Sequence, residues 1–202
     1  APAAHAAFEQ WRGCTDRGAV FKQALETIAQ RAAGALSSAL NIYYDEFSGP
    51  APLPGPTGES NTLRLRPRGV VLCLGGGSMD SYDRQIALAL AAGNAIICTE
   101  RMAQLLRIAL EPAGAPGALA TGFGGGADVP TALLADPLIR AVIFDGDAQT
   151  RREIAQCLAD RAGAITPLLT SEDAPWRFAV ERTLTINTTA AGGDVRLLSL
   201  GE

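Results

Sequence analysis

The sequence predicts an α/β fold, an open parallel sheet with crossover helices, preceded by N-terminal helices and followed by a C-terminal β-hairpin. Three observations carry this reading. After Pro67 the chain repeats a beat of short apolar run, glycine-rich turn and helical stretch, the pattern of parallel strands joined by helical crossovers. Runs such as Val70-Val-Leu-Cys-Leu74 are apolar without alternation, as strands covered on both faces require. From Arg177 to Asn187 the pattern instead alternates, and Gly192-Gly193-Asp194 then separates it from the apolar run Val195 to Leu200. The layer is Rossmann-like, and 202 residues suffice for one such domain with a substantial core.

The elements follow in order. Residues 1–47 form a helical lead-in: a short helix with Phe8 and Trp11 on one side, a break at Gly13, and a long amphipathic helix from Asp16 to about Phe47. Val20, Phe21, Ala24, Leu25, Ile28, Ala32, Leu36, Ala39 and Leu40 supply its stripe, and Thr15 or Asp16 its cap. Residues 48–66 read as a Pro/Gly-rich connector, because prolines remove donors and glycines favour turns. The Rossmann-like domain spans 67–175, with strands expected at Gly69–Leu74, Ala95–Cys98, Ala118–Thr121, Ala141–Phe144 and Ala164–Leu169. Helices are expected between them at Ser81–Ala92, Met102–Pro112, Pro130–Ala135 and Ala148–Ala162. Residues 176–202 form the hairpin, which must lie on another sheet because an isolated two-stranded ribbon is marginal in water.

Composition narrows the chemistry. Hydrophobic residues make up 48% and charged residues 19%, values of a folded chain rather than a disordered one. The longest unbroken apolar stretch, Ile86 to Ala92, is far short of a bilayer crossing, and the first residues do not read as a secretion signal. Net charge is −4 and the basic residues are scattered along the chain, so no footprint for duplex nucleic acid is expected. His5 is the single histidine and Lys22 the single lysine, against sixteen arginines. His5 sits in an Ala-rich terminal segment expected to fray into solvent, which leaves no histidine for a Ser-His-Asp or Cys-His mechanism. Cys14, Cys73, Cys98 and Cys157 stand 59, 25 and 59 residues apart, so there is no CxxC pair, and they read as buried, reduced thiols.

Two glycine-rich loops and a pair of aspartates are the remaining candidates. Gly75-Gly76-Gly77 lies between a strand and a helix, where bare amides and a helix N-terminus attract phosphate, but the GxGxxG spacing fails and its third glycine falls on Asp80. Gly122-Phe-Gly-Gly-Gly126 is a second loop at a strand end. Asp145 and Asp147 flank Gly146 at the carboxyl end of a strand, where open α/β sheets place ligands; with no third ligand nearby, a solvated loop or helix cap is the expectation, and no metal site. Glu59, Glu100 and Glu172 read as surface or capping residues.

From Pro67 to about Ser171 these residues resemble, in order, the nucleotide-binding part of the aldehyde dehydrogenase superfamily. Leu90-Ala-Ala-Gly-Asn-Ala-Ile-Ile97 is similar to that family's "LAAGNxVV" element, Pro116-Gly117 through Thr121-Gly-Phe-Gly124 to its "PxGVxxxxTGFG" stretch, and Phe144-Asp-Gly-Asp147 to its "FTGS" loop. The resemblance implies the family's sheet but not its catalysis. The lysine that holds the adenosine ribose is met by Cys98-Thr99, the oxyanion asparagine has no counterpart in Gly75–Ser78, and the general-base glutamate is met by Leu168. Gln156-Cys157 echoes the nucleophile motif but falls on a predicted helix, where Cys157 is expected to be core. No catalytic residue is therefore assigned, and Gly75, Gly76, Gly77 and Gly146 stand as vestigial cofactor-binding candidates.

A narrower resemblance covers about residues 50–202. Leu53-Pro-Gly-Pro-Thr-Gly-Glu-Ser-Asn61, leading into Leu65-Arg-Pro-Arg-Gly69, and Thr183-Leu-Thr-Ile-Asn-Thr-Thr-Ala-Ala-Gly-Gly-Asp194 are similar to the C-terminal region of the bifunctional proline utilization A proteins. Long members of that family join an FAD-dependent proline dehydrogenase to an NAD-dependent glutamate-semialdehyde dehydrogenase and add a non-catalytic aldehyde-dehydrogenase-like domain ending in a β-flap. The resemblance implies a cytoplasmic parent, peripheral at the inner membrane through its proline dehydrogenase, with FAD and NAD bound outside this chain. It also implies a partner, the semialdehyde dehydrogenase module of the same polypeptide, whose substrate channel the flap covers. Phe178, Val180, Leu184, Ile186, Val195, Leu197 and Leu198 are the expected contact face, with exchange of the hairpin between two copies, or tail disorder, when the partner is missing. The second reading is a degenerate, NAD-sensing nucleotide module; an independent small dehydrogenase lacks both nucleophile and base.

Overall fold

The computed structural model describes residues 1–28, 30–124 and 130–187. The lead-in holds three helices, α1 (Pro2–Trp11), α2 (Arg17–Leu25) and α3 (Gln30–Ile42), the last continuing into a π-turn at Tyr43–Phe47. Strands β1 (Ala51–Leu53) and β2 (Glu59–Pro67) follow. Next come β3 (Val70–Cys73), α4 (Met79–Ala91), β4 (Ala95–Thr99), α5 (Glu100–Leu110), β5 (Ala120–Phe123), α6 (Thr131–Ala135), β6 (Ile139–Ile143), α7 (Ala148–Ala159) and β7 (Leu168–Leu169). A 3-10 turn, Pro175–Phe178, leads into β8 (Ala179–Asn187).

The main sheet has five strands in the order β5-β4-β3-β6-β7, all parallel. Its centre is closed to solvent: Val70, Val71, Leu72, Cys73, Ala141, Val142 and Ile143 are fully buried. This is why these strands read as unbroken apolar runs. Helix α4 buries a continuous stretch from Gln85 to Ala91 against this sheet and α3. The five expected strands and four crossover helices are all present, with ends shifted by a few residues; the last strand shortens most, from Ala164–Leu169 to Leu168–Leu169.

Four expectations are corrected. The stripe from Asp16 to Phe47 is two helices rather than one, because α2 ends at Leu25 and its C-cap turn leads to Ile28. Asp16 is the cap, its carboxylate accepting from the Ala19 amide at 2.9 Å. The N-terminus is packed rather than frayed: Ala4, Phe8 and Trp11 are buried on the sheet, and His5 is half-buried with its ring against Phe8. The thiols divide, Cys73 and Cys98 buried, Cys14 and Cys157 half-buried, and all four are free.

The fourth correction concerns the connector and the tail. Residues 48–66 are not merely turns: β1 and β2 pair antiparallel, Ala51 opposite Leu63, and Pro52 is tolerated because β1 is an edge strand. Strand β8 pairs antiparallel with β2 along its whole length, from Pro67 opposite Ala179 to Glu59 opposite Asn187, forming a separate three-stranded sheet β1-β2-β8. The alternating tail strand is thus real, but its described partner lies 120 residues upstream rather than across the Gly192-Gly193 bend. Phe178 is not interface but core, fully buried where the 3-10 turn meets the main sheet. Val180 is half-buried, while Leu184 and Ile186 are 48% and 51% exposed. Val195, Leu197 and Leu198, and the second arm of the expected hairpin, lie outside the described residues.

One side chain joins the two sheets. Asn94, fully buried in the turn before β4, accepts from the backbone amides of Arg68 at 2.7 Å and Gly69 at 3.1 Å. Its amide group donates to the carbonyls of Ala89 and Phe178, both at 3.0 Å. All four positions of the side chain are used. The same residue therefore ends α4, seats the start of β3 and anchors the root of β8.

Candidate functional site

The carboxyl ends of β3 and β6 bring the vestigial candidates together. Gly75 and Gly76 adopt φ of +78° and +89°, the left-handed region that glycine occupies without penalty. A Cβ placed on Gly76 would stand 2.5 Å from the Gly146 nitrogen, so the two glycine loops lie backbone against backbone. Phe144, buried, packs beside both.

The first amide of the glycine loop is already engaged. The amide of Gly75 donates to Oε1 of Gln85 at 3.0 Å, and Gln85 Nε2 returns a bond to the Gly75 carbonyl at 3.0 Å. The same Nε2 donates to Oδ2 of Asp145 at 2.6 Å, and Asp145 Oδ1 accepts from the Ser171 amide at 2.8 Å. Gln85 is fully buried. It is the one polar side chain in an otherwise apolar helix face, which was the available sequence signal for its role. Asp145 is thus a tie between β6, α4 and the loop after β7, rather than a solvated loop residue.

Both helix N-termini at this edge cap themselves. Ser78 accepts from the Ser81 amide at 3.1 Å at the start of α4. Asp147 accepts from the amides of Gln149 and Thr150, each at 2.9 Å, and from the Thr150 hydroxyl at 2.8 Å. The Thr150 amide and hydroxyl bonds hold the exposed Asp147 carboxyl below its usual range. The expected cap is present, and it places an anion where the helix dipole would otherwise meet a ligand phosphate. Asp80 in the first turn of α4 adds another exposed carboxylate. Glu100 lies against Gly122 at the second loop and pairs with Arg107 at 3.0 Å, while Glu59 and Glu172 are exposed. Of that second loop, residues 122–124 fall among the described residues.

The thiols nearest this edge are buried. Burial pushes the Cys98 thiol up to about 12 and raises Cys73 well above the usual thiol range. Both remain protonated at neutral pH and have no access to solvent. Tyr82 is also raised by burial, and its hydroxyl accepts from the Thr99 amide at 2.9 Å. Cys157 is half-buried on α7. Among the described residues no group of three or more His, Cys, Asp or Glu is placed to hold a metal. What this arrangement does chemically is hold the strand ends together.

A parallel sheet of this order, with a glycine loop over the central strands, defines the class: a nucleotide-binding-type α/β domain. Residues 13–175 match the aldehyde dehydrogenase family, and the chain belongs to it. It is 36% identical over 159 residues to the bifunctional protein PutA of Salmonella typhimurium and 32% identical over 154 residues to that of Escherichia coli. Each match covers 74% of this chain but 11% of the relative, so the chain spans about a tenth of their length. A solved proline utilization A with proline bound in remote sites superposes with TM-score 0.71 at 27% identity, covering 83% of this chain and 21% of that one. An NAD-dependent benzaldehyde dehydrogenase from Corynebacterium glutamicum shares the fold alone, with TM-score 0.60 at 19% identity over 82% of this chain and 44% of that one.

Proposed function

We propose that this chain is a non-catalytic module of a bifunctional proline dehydrogenase and L-glutamate-γ-semialdehyde dehydrogenase that degrades proline to glutamate. In this reading it supports the semialdehyde dehydrogenase module of the same polypeptide, and its terminal strands cover the path of the intermediate. FAD and NAD bind elsewhere in that parent, which works in the cytoplasm. The observation that supports the non-catalytic role is the glycine-loop edge, where Gln85 takes the Gly75 amide, Asp145 holds Gln85 in place and Asp147 caps the N-terminus of α7. The covering role is supported by the outer half of β8, where every residue from Glu181 to Asn187 is exposed and Leu184 and Ile186 present about half their surface. A thin ribbon of that kind gains stability from a neighbour.

The test is made at both levels. NAD⁺ titrated calorimetrically into the 202-residue chain up to millimolar concentration should give no saturable heat; saturable binding lost on altering Gly76 would restore the NAD-sensing reading. Because Phe178 and Ala179 are core, the parental deletion must begin beyond them, at residues 181–202, rather than at Arg177. It should impair semialdehyde oxidation and coupled NADH formation more than proline oxidation. Unchanged coupled NADH formation would refute the covering role.

A further inference from the structure

The arginines that are scattered in sequence are gathered by the fold. Arg64 and Arg66 lie on one face of β2, and Arg182 of β8 stands directly opposite Arg64 in the antiparallel register. Arg12, just past α1, and Arg68, just past β2, complete the near side. Two adjoining clefts, of about 550 and 450 Å³, share Arg12 and Arg66. Like charges facing each other across a strand pair destabilise it, so this cluster has a cost that the fold itself does not explain.

A second observation points into the same place. Arg17 lines the smaller cleft, yet it is only 9% exposed, and its Nε has no hydrogen-bond partner. Its guanidinium lies over the Tyr43 ring at 5.6 Å and packs against Gly93 past the carboxyl end of α4, and burial lowers its pKa from the ordinary value. No carboxylate pairs with it among the ion pairs of the described residues. The two nearest acidic residues in sequence are engaged elsewhere, Glu9 with Arg12 at 2.9 Å and Asp16 in capping α2. A buried cation of this kind calls for an anion.

We propose that these clefts bind an extended acidic peptide segment, whose carboxylates meet Arg64, Arg66 and Arg182, in the positive field to which the buried Arg17 adds. Residues two apart on β2 are about 7 Å apart, the same repeat as alternate side chains of an extended ligand strand. Guanidinium forks pair with carboxylates bidentately. The rings lining the clefts, Phe8, Tyr43 and Phe47, are turned into the core with 6–7% exposure, so none offers a platform for a nucleobase. The same face of β8 continues through Leu184 to Ile186, which gives the segment an apolar anchor beyond its acidic part. Relatives about nine times longer than the matched region show how much additional polypeptide can accompany such a domain.

The experiment uses the whole 202-residue chain and a fluorescein-labelled hexaglutamate peptide, read by anisotropy at low and moderate salt. Binding should saturate and weaken as salt rises. Arg64→Glu combined with Arg182→Glu should weaken it by about tenfold or more, and Arg66→Gln by about threefold. Arg101→Glu with Arg152→Glu, exposed positions outside the clefts, should leave it unchanged. Absence of binding at millimolar peptide, or an equal loss in the control pair, overturns the proposal. Binding of tripolyphosphate or single-stranded DNA through the same arginines, with none of the peptide, overturns it in favour of a phosphate ligand.

Discussion

Replacing Asn94 with alanine should be among the most damaging single changes in this protein, and its magnitude can be worked from the four bonds. The Ala89 carbonyl keeps the backbone bond from residue 94 at 3.1 Å, so it is not orphaned. The amides of Arg68 and Gly69 and the carbonyl of Phe178 lose the side-chain partner that Asn94 supplies. Gly69 and Phe178 are buried and Arg68 half-buried. An unsatisfied buried group costs about 1–3 kcal/mol, and water reaching the Arg68 side lowers the sum, so about 3–5 kcal/mol is expected. Against a typical total of about 5–15 kcal/mol this is a large fraction, and it should lower the melting temperature by roughly 6–20 °C. Urea unfolding followed by tryptophan fluorescence reads it directly, since Trp11 is buried and Trp176 sits half-exposed one turn from Phe178. Asn94→Asp retains the two acceptor bonds but places a carboxylate against two carbonyls, and its stability should improve on acidification toward pH 4–5 as that group protonates. A loss below about 1 kcal/mol in Asn94→Ala would refute the claim that this residue couples the two sheets.

The buried thiols give two further predictions. The Cys98 pKa is raised on folding from 9.0 to about 12, so its contribution is fully present below pH 9 and is lost as pH climbs through that window, with Cys73 and Tyr82 acting in the same direction. Each such group steepens the fall by about 1.4 kcal/mol per pH unit between its unfolded and folded values. Urea midpoints should therefore hold steady from pH 7 to 9 and drop by pH 11, with a shallower drop in Cys98→Ala; a midpoint constant to pH 11 would contradict the burial argument. Cys14 and Cys157, half-buried, should react with an aromatic disulfide reagent in the native protein, whereas Cys73 and Cys98 should react only after unfolding. Four equivalent fast thiols would show that the main sheet opens readily.

The main sheet was legible because burial on both faces writes itself as unbroken apolar runs, and Val70 to Cys73 is the clearest case. Strands β1 and β2 were not, since β1 is exposed throughout and carries a proline, and β2 is at most half-buried with polar and arginine residues around its two leucines. What makes β2 a strand is β8, and no local signal encodes a pairing between residues 59–67 and 179–187. Phe178 misled for a related reason: it precedes an alternating run and continues its period, yet the 3-10 turn rotates it into the core. The glycine loop was placed correctly between strand and helix, but its closure depends on Gln85, ten residues downstream on α4. The arginine cluster was invisible because positions 12, 17, 64, 66, 68 and 182 share no period and meet only in the folded chain.

The two features outside the main sheet are mechanically one. The Phe178 carbonyl is held by Asn94, and the Arg68 guanidinium donates through Nε to the Arg177 carbonyl at 2.9 Å, so β8 leaves the main sheet from a fixed point beside the end of β2. Arg177 is itself paired with Asp173, which in turn accepts from the Thr170 amide at 2.8 Å just after β7. A neighbour that grips Leu184 and Ile186 thus engages a ribbon rooted at β3, β4 and β7.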